Sequence, residues 1–394
     1  MILAPVDLSD TAQKIKPTFA ALPTFLELRP LKWVQNGFTL APGEHPVFVH
    51  GALPGEKVRV RLTKRNRNHS FAVLESVIEP SPSRIESDCS IFPECGGCSF
   101  RNISYEEELS VKTRLVREFR PLGEACGDFE VFSAAPDAYR THVRIQFDGK
   151  QAGFFSLHSN RIVPLPSTGC ANLPKELNSA IFGFIKKETR ARTFAPRDLR
   201  FRISDKVYGP SHHGTVPIAI GSLTLDTPAD GFVQANSMLI ETWLKFIASL
   251  IGPGLPPALE LYCGSGIIGA YVRENLGSYR AFDFNSSSIE CARKNFSNSG
   301  LEGQFDVMDL NEEMPEPASL CIVNPARPGL SACVREGLKA SSVRSIIYSS
   351  CNPATLNRDL VELLAAGFFV RKSAMFDFFP RTPHVEMVCL LERK

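Results

Sequence analysis

Apolar and polar positions change rhythm twice along the chain. Between residues 26 and 80 they alternate in short runs: Pro46–His50, Lys57–Leu62 and Ser70–Leu74. Turns such as Ala52-Leu53-Pro54-Gly55-Glu56 separate them. Period-two runs divided by Gly/Pro turns predict the strands of a small β-barrel. Residues 1–25 carry several prolines and little pattern, which predicts an arm, and Ser81-Pro82-Ser83 reads as a linker. A polar amphipathic helix follows at about 104–119. Residues 130–230 read as strands with few long helices, at 141–147, 153–155, 161–163 and 216–220. From Met238 onward a helix, an apolar strand, a Gly-rich turn and another helix begin an alternation that runs to the end. That rhythm predicts a doubly wound α/β unit. The expectation is a multidomain α/β protein: arm 1–25, barrel 26–82, β-rich central unit 83–230 and Rossmann-like unit 231–394.

Composition narrows the class. A hydrophobic content of 43% with 22% charge is that of an ordinary globular protein. No run approaches the roughly 20 apolar residues that span a bilayer. The start, Met1-Ile2-Leu3-Ala4-Pro5-Val6-Asp7, lacks the charged opening and apolar core of a secretion signal. The expected location is therefore the cytoplasm. Eleven cysteines, an odd number, do not suggest a full disulfide framework there and point to metal binding or catalysis. The net charge of +2 excludes little, but its distribution is uneven. Lys57, Arg59, Arg61, Lys64, Arg65 and Arg67 occur with no acid between them. Such a stretch suits either a phosphate backbone or a charge-blunted edge strand.

Five segments carry candidate chemistry. Cys89-x5-Cys95-Gly96-Gly97-Cys98 clusters three thiols, with Cys170 the leading candidate for a fourth. Zinc and an iron–sulfur cluster both suit that set. Ala258 to Gly269 reads as strand, Gly-x-Gly turn and helix, and an acid, Asp283, ends the next strand. The glycines admit a ligand close to the backbone, and the acid can accept ribose hydroxyls. The turn lacks a convincing pyrophosphate fingerprint, so S-adenosylmethionine fits better than a dinucleotide. Asn324-Pro325-Ala326-Arg327 ends another strand with a carboxamide, a donor and acceptor pair matching the edge of uracil. His384 and Glu386 lie in a loop before the last strand, and either is a candidate base. Cys351 stands where Ile346–Ser350 gives way to Asn352-Pro353, the strand end at which open α/β sheets place their chemistry.

Together these segments resemble the S-adenosylmethionine-dependent RNA uridine-5-methyltransferases. The likeness rests on the cysteine box, Gly231-Phe232-Val233-Gln234-Ala235-Asn236, Tyr262-Cys263-Gly264-Ser265-Gly266, Asn324-Pro325-Ala326-Arg327, Ser350-Cys351-Asn352-Pro353-Ala354-Thr355 and Phe379 to Glu386, in the family's order. It implies a [4Fe–4S] cluster on Cys89, Cys95, Cys98 and Cys170, and a TRAM-type RNA-binding barrel at about 26–80. It places Gln234, Tyr262, Asp283, Asn324 and Asp309 at cofactor-binding positions, Cys351 as nucleophile and Glu386 as base. The implied reaction is methylation of uridine C5 through a Cys351–uracil C6 adduct. Asn324 stands where Asp is commoner and Asp283 where Glu is usual. The implied substrate is RNA, 23S ribosomal RNA first and transfer RNA as the alternative. The rival readings are a non-catalytic iron–sulfur RNA-binding protein, a cytosine-5-methyltransferase and a zinc-dependent variant.

Overall fold

The computed structural model describes residues 25–191 and 197–393. Nearly all of the expected arm lies outside them. Residues 25–79 form one six-stranded sheet, ordered Phe25–Leu28, Lys57–Arg65, Ser70–Glu79, Val47–His50, Phe38–Ala41 and Lys32–Val34. Val58 and Val60 are fully buried with Val49, Ala52 and Ala72 in a single cluster, so the sheet wraps its own small core. Lys57, Arg59 and Arg61 point the other way, as alternation requires. Arg61 is committed there to Glu94 and, at 3.6 Å, to Glu75. Lys64 and Arg65 stay exposed.

The next unit holds a five-stranded sheet ordered Ile162–Pro164, Ala152–Phe155, His142–Phe147, Arg197–Ile203 and Val207–Tyr208. A helix at Lys175–Ala191 packs on it, which corrects the expectation of few long helices in this region. Leu177 and Ile181, both fully buried, form a narrow stripe four residues apart against Ile145 and Leu199. Its polar remainder hides that stripe from a strand-oriented reading. The hairpin Thr215–Ile220/Leu223–Pro228 precedes residue 231, yet Ile218, Ile220 and Leu225 share a core with Leu239 and Leu244 of the following helix.

The C-terminal unit is built on an eight-stranded sheet. Its strands are β1 (Ala258–Leu261), β2 (Tyr279–Asp283), β3 (Gln304–Val307), β4 (Leu320–Val323), β5 (Ser345–Ser350), β6 (Phe368–Phe376) and β7 (Glu386–Arg393). The order is β3-β2-β1-β4-β5-β7-β6, and Glu130–Phe132 adds an edge beside β6. The five strands β1 to β5 are parallel, while β7 runs antiparallel between β5 and β6. Strand residues alternate between two cores. Ala258, Leu320, Ile322 and Ile347 face Leu244, Ile247 and Ile289. Leu259, Leu261, Cys321, Val323 and Ile346 face Val334, Leu338, Leu356 and Leu360. Burial on both faces is why these strands read as unbroken apolar runs. Strand order reverses between β1 and β4, and the crevice at such a point is where open sheets bind ligands.

Candidate active site

The predicted cofactor residues gather at the carboxyl ends of the parallel strands. Leu261 is in register with Phe282 and with Val323, so Tyr262, Asp283 and Asn324 follow side by side. Tyr262 has φ 61°, a left-handed conformation rare for a bulky residue and characteristic of strained functional turns. Its hydroxyl accepts the Ser331 N–H at 3.2 Å. Gly264 and Gly266 also have positive φ, 54° and 72°, and a Cβ on Gly264 would meet only open space. Asp283 is buried. Its Oδ2 accepts the Gly264 N–H and its Oδ1 the Asn285 N–H, each at 2.9 Å. It therefore shapes the Gly turn, and each oxygen keeps lone-pair capacity for a hydroxyl. Asp309 is exposed two residues beyond β3, its Oδ1 accepting from the Asn311 backbone and side chain. The Met308 N–H donates to the Asp283 carbonyl at 3.0 Å, tying that loop to the crevice.

Cys351 and Glu386 meet by strand register. Ser350 pairs with Met387 at the end of the antiparallel β5–β7 ladder, and Cys351 and Glu386 each follow one step beyond it, near enough for the Glu386 charge to act on the thiol. Cys351 is partly exposed, and burial first, then the Glu386 charge, pushes its thiol up to about 11, with Arg327 pulling the other way. Glu386 is 1% exposed, and burial raises its carboxyl to about 7 against hydrogen bonds from Ser349 and Gln234. Ser349 Oγ donates to Glu386 Oε1 at 2.5 Å and accepts from Trp243 Nε1 at 3.1 Å. Glu386 Oε2 is buried without a partner. A buried carboxyl poised near neutral pH beside a thiol is suited to proton transfer. His384 suits it less. Arg327 donates to its Nε2 at 3.1 Å, and burial lowers its pKa to about 4.

The loops that carry these groups are stapled together. Asn352 caps the helix Pro353–Ala365 by accepting the Ala354 N–H at 3.2 Å, and its Nδ2 donates to the Arg327 carbonyl at 3.0 Å. Fully buried Asp359 accepts from the Tyr348 hydroxyl at 2.6 Å and the Leu330 N–H at 2.9 Å. On the other side Lys112, buried in the helix Tyr105–Arg117, donates to Glu108 at 2.6 Å and to Asp377 at 2.8 Å. That pairing fixes the segment leading from β6 to Glu386. Sequence reasoning missed Trp243 and Ser349. Ser349 lies two residues before Cys351 in the chain, but Trp243 sits in an apolar helical stripe that signals only packing.

A second cluster lies in the central unit. Cys89, Cys95, Cys98 and Cys170 line one cavity of about 30 Å³. Among the described residues no group of three or more His, Cys, Asp or Glu is arranged to hold a metal ion. Burial, with mutual repulsion from the other thiols, pushes Cys95 up to about 12 and Cys170 to about 11. Asn172 Nδ2 donates to Cys98 Sγ at 3.3 Å and the Gly97 N–H to Cys95 Sγ at 3.4 Å. Gly96 is required by close approach rather than by a sharp turn: a Cβ would lie 2.9 Å from the Phe155 carbonyl oxygen.

Comparison with known proteins agrees with this geometry. The tRNA (Uracil-5-)-methyltransferase family matches residues 317–394, and the Methyltransferase small domain matches 254–330. An uncharacterized RNA methyltransferase of Leptospira interrogans is 35% identical over 392 residues, covering 93% of this chain and 94% of that protein. The 23S rRNA (uracil(1939)-C(5))-methyltransferase of a Marinomonas species is 27% identical, covering 88% and 90%. The crystal structure of a Pyrococcus abyssi tRNA (uracil-54, C5)-methyltransferase, in complex with S-adenosyl-L-homocysteine, shares the fold. Its TM-score is 0.76 at 20% identity, with 93% and 99% covered. Identity of this extent across nearly the whole of both chains, with the site at its strand ends, places this protein in the RNA uracil-5-methyltransferase family.

Proposed function

We propose that this enzyme methylates C5 of a uridine in RNA through a covalent adduct on Cys351. The observation that carries the reading is the β5–β7 register, which sets the Cys351 thiol opposite the Glu386 carboxyl beside the crevice at β1, β2 and β4. Bound S-adenosylmethionine would supply a methyl group on a sulfonium, whose S–CH3 bond breaks on transfer to leave the neutral thioether S-adenosylhomocysteine. Tyr262, Asp283, Asn324 and Gln234 would hold it, with Asp309 at the rim. The Cys351 thiolate adds to uracil C6, which makes C5 nucleophilic and able to take that methyl. Glu386 then removes the C5 proton, the C6–sulfur bond breaks and the thiolate returns. Covalent addition divides one hard step into easier ones. The uridine must leave its stack to reach the thiol.

The four central cysteines fit a [4Fe–4S] cluster: four thiols on one cavity, with N–H donors aimed at two sulfurs. Residues 26–82 would serve as a TRAM-type RNA-binding unit, with Lys64 and Arg65 outward. Ribosomal RNA is the favoured substrate, supported by the relatives named for 23S rRNA. The test is incubation with labelled S-adenosylmethionine and separate ribosomal and transfer RNA pools, followed by nucleoside analysis. We expect 5-methyluridine in 23S rRNA. Label in 5-methylcytidine, or in neither pool, would sink the reading; label in transfer RNA would keep the chemistry and move the substrate.

A further inference from the structure

A cleft of about 770 Å³ lies outside the catalytic centre. One wall is the central sheet, from strands His142–Phe147 and Arg197–Ile203. The other is the segment 229–232 that leads into the catalytic unit.

The sheet wall breaks the usual rule for cross-strand neighbours. Arg144 is directly opposite Arg200, and His142 directly opposite Arg202, on one face of the antiparallel pair. The Arg144–Arg200 pair sets like charges directly opposite, which is destabilising. Arg144 has one partner, Asp198, at 3.4 Å with both side chains about half exposed, which is worth little. Arg202 is only 7% exposed. Its Nη1 reaches the Pro228 carbonyl at 3.4 Å, and its Nη2 is buried with no partner. Burial draws the Arg202 pKa down to about 10, and burial with the charges of Arg140 and Arg202 draws His142 down to about 4. Asp230 also lines the cleft, but its carboxyl does not bond Arg202. A buried guanidinium without an anion is a costly arrangement that a ligand's negative charge would relieve.

The opposite wall connects this row to the chemistry. Gly231 and Phe232 line the cleft, and Phe232 is 69% exposed. Two residues further, Gln234 is buried beside Glu386 and helps to hold its pKa down. Two residues of extended chain span at most about 7 Å. Phe232, which lines the cleft, therefore lies within about 7 Å of backbone from Gln234, the neighbour of Glu386.

We infer that this cleft is a second RNA site, in which Arg144, Arg200 and Arg202 take phosphates of the strand flanking the reacting uridine. The inference rests on the proposed uridine methylation for its ligand class. A guanidinium fork matches phosphate oxygens in pairs. The site would set strand register without reading base identity.

The test measures binding of a short uridine-containing single-stranded RNA by fluorescence anisotropy across a potassium chloride series. Arg144→Gln combined with Arg200→Gln is expected to lower the salt slope by about 1.4, two phosphates at about 0.7 each. It should raise KM for RNA more than it changes kcat, with S-adenosylmethionine affinity kept. Arg202→Gln should weaken RNA binding without lowering Tm, since it removes an unpaired buried charge. An unchanged slope and KM in the double variant would overturn the site. So would displacement of RNA by polyglutamate as readily as by polyuridylate, which would reassign the cleft to an acidic protein. If the wild type forms no 5-methyluridine, the catalytic reading fails, and anisotropy still decides the cleft.

Discussion

Two thiol centres in this molecule look alike by acidity and differ in everything around them. Burial raises Cys351 to about 11 and Cys170 to about 11. Cys351 stands alone at a strand end with a carboxylate on one side and the Arg327 guanidinium on the other. Cys170 faces three further thiols around a small cavity, with amide donors aimed at the sulfurs. A raised thiol pKa therefore does not by itself mark a nucleophile. What distinguishes the two is their company: one thiol beside a carboxyl and a guanidinium, against four thiols around one cavity. Held as neutral thiols the four need no counter-charge, and only as thiolates would they call for a metal centre.

The sharpest way to break this contrast is to remove one thiol from each centre. Cys351→Ala should lower methyl transfer on the order of 10⁴-fold or more. It should also abolish covalent trapping by 5-fluorouridine RNA while leaving Tm and visible absorption unchanged. Cys98→Ala should do the reverse: lose bound iron and the visible band, and lower Tm on the order of 10 °C, because site formation is coupled to folding. Iron analysis, absorption spectra and calorimetry on anaerobically purified protein decide it. A Cys98→Ala protein of unchanged stability and zinc content in place of iron would leave the four cysteines without the proposed cluster.

Glu386→Gln separates the base from the nucleophile. Adduct formation needs only Cys351, so this variant should accumulate protein–RNA adduct and turn over about 10² to 10⁴-fold more slowly. The wild-type rate should rise with pH through about 7 as Glu386 ionises, and the variant should lack that limb. Stability moves the opposite way. The folded carboxyl holds its proton to about 7, against 4.5 ordinarily, so between those values the folded state binds more protons and stability falls as pH rises. Above pH 7 the cost is about 3 kcal/mol. Glu386→Gln should therefore be the more stable protein at pH 8 and lose that advantage near pH 4. Equal melting curves at both pH values would mean that the carboxylate is not held at a cost.

What the sequence revealed of these centres follows from how locally each is encoded. Cys351, Asn324, Tyr262 and Asp283 were legible because each ends or directly follows an apolar strand run and parallel register brings strand ends together. The cysteine box was legible from spacing, and Cys170 from its place after a strand and before a turn. The Lys112–Asp377 pair was not, since 265 residues separate its members and neither sits in a motif. Asp309 lies beyond β3, exposed and bonded within its own turn, and nothing in the turn sequence announces that. The helix Lys175–Ala191 was lost because its buried stripe is narrow. Long-range pairing and packing direction are the properties a single chain does not print locally.

The finest test of the contrast concerns the support behind Glu386 rather than the carboxylate itself. Ser349 is fully buried within β5, donates to Glu386 Oε1 and is held by the Trp243 indole N–H. Its hydrogen bond favours the charged form and so opposes the burial that raises the carboxyl pKa. Ser349→Ala removes that opposition and leaves the Trp243 N–H without its acceptor. The pKa should rise further, moving the ascending limb of the pH–rate profile to higher pH. At neutral pH the rate should fall only a few-fold, since a hydrogen bond to a charged group is worth about 1.5–3 kcal/mol and part of it is recovered as pH rises. Ser349→Thr, which keeps the hydroxyl, should restore the wild-type limb if the methyl group is accommodated. A merely structural role would instead lower the rate equally at every pH. An unmoved limb in Ser349→Ala would show that burial alone sets the acidity of Glu386.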